Sequence, residues 1–193
     1  MKRLLLLAPV LIIVGCFLFG GKDYFPLTVD NEWKYEGHSY TTADSSTIKK
    51  ETKITGEDQI NSKDVFIAVR KTTEYEFYPI FDTTEETDTS YIKEDQDTIW
   101  IYDTKTDSTP MLLTILPFEL DKTWNVIHGA DTTVYTVKAQ EDVTVPSDTY
   151  KKCWKLEMKH GTNASYFWFA DGTGIVKQSW SGYLLELTEA TIK

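Results

Sequence analysis

Cysteine is nearly missing from this 193-residue chain, with Cys16 and Cys153 as its two. Histidine is scarce at three, and 20 lysines and arginines face 30 aspartates and glutamates, a formal charge of −10. Long apolar runs are lacking too, since the stretch from Leu4 to Phe19 has 16 residues and contains Pro9. Each shortage excludes something. A spanning helix needs about 20 apolar residues to cross the hydrocarbon, so a permanent span is not expected. A surface this acidic repels phosphate backbones, which removes nucleic acid as a partner. His38, His128 and His160 lie far apart and form no metal-binding pair, and no nucleophile elbow or phosphate-cradling glycine loop is present. The expectation is therefore no catalytic residue, no metal site and no cofactor. Two acid-rich stretches, "DTTEETD" at 82–88 and "DTKTD" at 103–107, lack the glycine and distal glutamate of a calcium-binding loop and are expected to be solvated loops.

The N-terminus has a different composition. Lys2 and Arg3 precede the uncharged apolar residues 4–14, the charge-then-apolar order of a secretory signal peptide. Ile13, Val14, Gly15 and Cys16 follow, and this segment resembles a bacterial lipobox. The resemblance implies diacylglycerol transfer to the Cys16 thiol and cleavage just before it. Residues 1–15 are then a signal peptide, 16–23 a lipidated cysteine and short tether, and 24–193 a single β domain. Two or more acyl chains hold a protein stably at a membrane, where one holds it only marginally. Phe17 occupies the place where resemblance to proteobacterial lipoproteins would put an inner-membrane aspartate, which implies the outer membrane in a host that has one. With Cys16 acylated, Cys153 has no disulfide partner in spite of an oxidising compartment. Stability must come from the core.

The fold class reads from periodicity. Trp33 and Tyr35, Val65 with Ile67 and Val69, Val143 and Val145, and Trp154 with Leu156 and Met158 alternate with polar residues. Turn chemistry separates such runs at 56–64, 93–97, 128–131, 170–174 and 181–182. No helical stripe longer than two turns follows the signal peptide. The expectation is an all-β antiparallel protein of roughly ten to twelve strands, either a sandwich or a curled half-barrel.

Part of the chain echoes another part. "PLTVDNEWKY" from Pro26 and "PFELDKTWNV" from Pro117 share a proline, an aspartate and a tryptophan at an offset of 91 residues. "ITGEDQI" at 54–60 resembles "VKAQEDV" at 137–143 at an offset of 83. Two related β-meanders, half-repeats 24–115 and 116–193, would explain this, with Trp33 and Trp124 as core pins.

The opening "YFPLTVDNEWKYEG", the segment "VTVPSDTYKKC" and the ending "YFWFADGTGIVKQSW" resemble a group of bacterial secreted lipoproteins of unassigned function. Asp30 replaces the turn glycine usual in that group, Ser147 and Asp148 replace alanine and glycine, and Asp171 stands where proline is common. These shared motifs are structural and carry no chemistry.

Two functional expectations follow. The favoured one is a non-catalytic, lipid-anchored envelope protein whose β domain is a binding or scaffold module for an envelope protein or polymer, contacted through polar loops at 41–47, 82–90 and 103–109. The alternative is a carrier of a lipid or other apolar ligand in a half-barrel cleft. Tyr166, Phe167, Trp168 and Phe169 put aromatics on both faces of one strand, and one pair would then line the cleft. In "YKKCWKLEM", strict alternation sets Tyr150, Trp154, Leu156 and Met158 on one face and Cys153 on a second, partly covered one.

Overall fold

A computed structural model describes residues 23–40, 45–77, 81–128 and 131–193. The expected signal peptide, Cys16 and most of the expected tether lie outside the described residues. Alternating β-branched and aromatic residues produce twelve strands: β1 (Glu32–Tyr40), β2 (Ser45–Ile60), β3 (Lys63–Glu76), β4 (Asp82–Asp95), β5 (Thr98–Tyr102), β6 (Met111–Ile115), β7 (Thr123–His128), β8 (Asp131–Val145), β9 (Asp148–His160), β10 (Asn163–Ala170), β11 (Gly174–Trp180) and β12 (Tyr183–Thr191). Among the described residues there is no helix.

All twelve strands join one antiparallel sheet in the order β6-β5-β4-β3-β2-β1-β12-β11-β10-β9-β8-β7. The sheet curls into a nearly closed barrel, so the curled arrangement holds and the two-sheet sandwich does not. Strands β1–β6 belong to residues 24–115 and β7–β12 to 116–193. The first and last strands are stitched together, from Glu32 opposite Thr191 to Ser39 opposite Tyr183. At Gly37 this seam is so tight that a Cβ would sit 1.8 Å from the Leu184 carbonyl oxygen.

The segments that lead into β1 and β7 adopt the same local structure. Asp30 and Asp121 both have positive φ, 71° and 64°, which aspartate tolerates better than most side chains. Asp30 N–H donates to Ile54 O at 2.8 Å, and Asp121 N–H to Val137 O at 2.9 Å. Ile54 N–H returns to Asn31 O and Val137 N–H to Lys122 O, both at 2.9 Å. Asn31 Nδ2 donates to Pro26 O at 2.6 Å, while Lys122 Nζ donates to Pro117 O at 3.0 Å. The register then slips just past each anchor, between Ile54 and Gly56 and between Val137 and Ala139.

Two large apolar clusters fill the curl, and a smaller third one gathers Ile60, Val65 and Tyr102. The first gathers Trp33, Tyr35, Ile54, Leu185 and Leu187 with Val143 and Cys153. The second gathers Tyr24, Phe118, Trp124, Val126, Tyr135 and Phe169. Trp33 and Trp124 are 7% and 8% exposed, each in a different cluster.

Two local expectations need correction. Strict alternation along β9 fails because the register shifts between Glu141 and Val143 and Lys152 takes φ 55°. Asp142 holds this bulge by accepting from Lys152 N–H at 3.0 Å and Lys151 Nζ at 2.9 Å. One extra residue reverses the facing of the side chains beyond it. Tyr150 therefore packs with Cys153 in the first cluster, while Trp154, Leu156 and Met158 go to the second. Residues 82–90, expected as a loop, are instead part of β4, exposed over 82–87 and buried at Ser90. Cross-strand pairing holds them there, with Arg70 and Asp88 at 3.5 Å and Lys71 and Glu85 at 3.3 Å.

Candidate functional site

Where β6 and β7 end the sheet order, no ladder joins them. A cleft of about 490 Å³ opens beside this unjoined seam, lined by Tyr24, Glu94, Gln96, Asp97, Leu116, Pro117, Phe118 and Trp154. Four segments build it, with β9 contributing Trp154. The chain reaching β1 brings Tyr24, the β4–β5 hairpin brings Glu94 to Asp97, and the link from β6 to β7 brings Leu116 to Phe118. Leu116 N–H donates to Asp97 O at 2.6 Å, tying the link to the hairpin. Next to Tyr24, Gly172 N–H donates to Asp23 O at 2.7 Å, and Asp23 N–H to the Asp171 carboxylate at 2.9 Å. In each case the segment before a proline docks on a hairpin turn of the other half.

The floor of the cleft is aromatic. Trp154 Nε1 donates to the Tyr24 hydroxyl at 3.0 Å, and the Phe118 ring lies 5.1 Å from Tyr24 and 5.0 Å from Phe169. The rim is acidic. Partial burial pushes the Glu94 carboxyl up, and the nearby Asp23 charge adds to the shift. Lys122 is spent on the Leu116 and Pro117 carbonyls. The arrangement suits a group that is apolar in part and donates hydrogen bonds or carries positive charge.

The four aromatics singled out on β10 divide between the two clusters. Trp168 packs in the first with Tyr166 against it, whereas Phe169 packs in the second with Phe167 against it. Trp168 Nε1 donates to Glu141 at 2.6 Å, with Lys155 Nζ 4.8 Å from its ring. Tyr166 donates to Glu157 at 3.2 Å, which holds its hydroxyl protonated to higher pH. None of the four lines the cleft, although Phe169 supports its floor from beneath Phe118.

Other chemistry-bearing groups are dispersed. Cys153 is fully buried, and burial, reinforced by Asp142, pushes its thiol up to about 11. Lys50 is half-buried, its Nζ 5.9 Å from the centre of the Tyr35 ring and 3.4 Å from Gln178 Oε1. Burial, with Arg70 adding to it, pulls its amine down to about 8. Among the described residues no three histidine, cysteine or acidic groups converge as metal ligands, and no helix is long and apolar enough to cross a membrane. Of the expected contact loops, 45–47 belong to β2 and 82–90 to β4, while 103–109 does form a loop after β5. Residues 41–44 lie outside the described residues.

The cleft itself was not legible in the sequence. Pro117 and the 93–97 turn each carried a local signal, but nothing in their spacing says that Tyr24 and Trp154 join them. That meeting depends on how the sheet curls.

No family model matches the chain, and no curated protein matches it. Two solved structures match the chain. One, from Bacteroides fragilis, is described as an exported protein with a YmcC-like fold; it is 9% identical, covers 88% of this chain and 99% of its own, and has a TM-score of 0.55. The other, from Parabacteroides distasonis and described as a lipoprotein, is 10% identical, covers 89% of this chain and 99% of its own, and has a TM-score of 0.46. At 9% identity the likeness to the Bacteroides fragilis structure concerns the fold alone.

Proposed function

We propose that this protein is a lipid-anchored binding module of the cell envelope, tethered through Cys16 and holding an envelope partner at the unjoined seam between β6 and β7. The observation that carries the reading is the acid-rimmed aromatic cleft, whose wall includes Tyr24, the first residue after the tether. The lipobox-like segment supports the anchor, and the exported description of the Bacteroides protein agrees with an envelope address. Phe17 in place of aspartate favours the outer membrane. The role is non-catalytic and needs no cofactor. The carrier reading is less favoured because the β10 aromatics are engaged in core packing and do not line an apolar cavity.

The anchor is tested by labelling cells with palmitate. Wild-type chain should incorporate label and lose residues 1–15, whereas Cys16→Ser should remain unlabelled and uncut; normal processing of that variant would overturn the anchor. Native mass spectrometry of unacylated chain, purified without detergent, separates the two roles. A bare protein mass is expected, and a bound species of lipid mass lost on unfolding would favour the carrier.

A further inference from the structure

The two edge strands at the open seam lack the usual protection. An unpaired strand presents a row of free N–H and C=O groups, and proteins blunt such edges with lysine, proline or inward charge. In a chain with 26% charged residues, β6 reads Met-Leu-Leu-Thr-Ile and β7 reads Thr-Trp-Asn-Val-Ile-His, with no proline, lysine, arginine or carboxylate in either. By contrast β1 and β12, which do pair, carry several charges.

Among the described residues, three buried side-chain polar atoms lack a partner; Arg70 Nε lies on β3 and the other two lie at this seam. Thr114 on β6 is fully buried and Trp124 on β7 is 8% exposed, yet Thr114 Oγ1 and Trp124 Nε1 have no hydrogen-bond partner among the described residues. Trp33, which stands at the matching position of the other half, donates its Nε1 to Thr173 O at 2.6 Å. On the outer side of β7, Ile127 is 72% exposed, and Leu120 just before the strand is 60% exposed.

We infer that β7 accepts an extended segment of a partner polypeptide as a thirteenth strand, with apolar residues alternating over Ile127 and basic residues at the end beside the Glu94 and Asp97 carboxylates. The inference rests on the proposed use of the seam as a binding site and names its occupant. A polypeptide fits better than a polysaccharide because only a peptide backbone matches the alternating donors and acceptors of a strand edge. The charge of −10, with Glu94 and Asp97 at the rim and Lys122 held by carbonyls, selects a basic segment.

The test uses the mature chain from position 16 with Cys16→Ser, immobilised and panned against random twelve-residue peptides. Enriched peptides should alternate β-branched or aromatic residues with polar ones and carry lysine or arginine at one end. When added in solution they should slow hydrogen exchange of the β7 amides that do not donate to β8, by about tenfold or more. Ile127→Lys, at an exposed site, should abolish that protection, whereas Ile192→Lys should keep it. Glu94→Gln with Asp97→Asn should remove the selection for basic residues. Binders that protect the cleft walls but leave β7 unchanged would overturn strand addition while leaving the seam as the binding site. Failure to select any binder would overturn both. Protection of β7 without peptide, lost on dilution or on deleting residues 16–22, would assign the edge to a second copy or to the tether and overturn the partner strand.

Discussion

Between β12 and β1 the halves meet through a continuous ladder, with Gly37 letting the Leu184 carbonyl approach closely. Between β6 and β7, where the same halves meet again, there is side-chain packing around the second cluster but no ladder. The approach to each seam is nearly the same, down to the positive φ of Asp30 and Asp121 and the paired backbone bonds to Ile54 and Val137. Strand length and charge differ. The joined strands have nine residues each and carry glutamates and lysine, whereas the open ones have five and six and carry no charge but a histidine. A shared motif thus fixes a local turn and leaves the seam's closure to the strands beyond it.

The sharpest way to break this contrast is to open the joined seam. Gly37→Val should destabilise the fold by about 3 kcal/mol or more, at or above the top of the overpacking range, because the obstacle is backbone and cannot rotate away. Urea unfolding with a midpoint near wild type would show that the ladder does not depend on the close approach.

Next in size is Lys50, a half-buried charge in the joined half. Its amine is pulled down from 10.5 to about 8, so between those values the unfolded chain binds more protons than the folded one. Stability should therefore be lowest below pH 8 and rise as pH climbs toward 10.5. Lys50→Met should raise stability at pH 7 by about 1 kcal/mol or more, with the gain shrinking above pH 8. A gain independent of pH would assign the effect to packing.

The two tryptophans allow a finer comparison. Trp33→Phe loses a hydrogen bond to Thr173, while Trp124→Phe loses none. The first should cost about 1 kcal/mol more than the second. Equal costs in chemical denaturation would erase the difference between the seams at this level.

Smallest is Glu94→Gln at the open seam. The carboxyl is raised in the folded state, so the folded chain holds its proton longer and stability falls as pH rises through and above the ordinary glutamate range. The variant should be slightly more stable at neutral pH and flatter between pH 4 and 7, as read from denaturation midpoints. A steeper profile in the variant would contradict the assigned cause.

Much of the architecture was legible because strand periodicity is local. The alternating runs named β1, β3, β8 and β9, and Asn61 and Ser62, both with positive φ, turn where the "INSKD" chemistry placed a hairpin. Local reasoning failed where tertiary contacts override it. Tyr150 changes sides because Asp142 stabilises a bulge at Lys152, and the acid-rich 82–90 extends because β3 supplies cationic cross-strand partners. The aromatics of β10 looked like a pocket wall because a strand packed on both faces carries the same pattern.

By itself the sequence determined that this chain makes antiparallel strands, that its core rests on tryptophans and aliphatic residues rather than disulfides, and that its surface is acidic. Those properties come from residue type and spacing over a few positions. Tertiary structure alone decided which strand pairs close the sheet, which edges remain free, and that Tyr24, Glu94, Phe118 and Trp154 share a cleft. Curl, bulges and seam closure depend on contacts between residues far apart in the chain, and no local period encodes them.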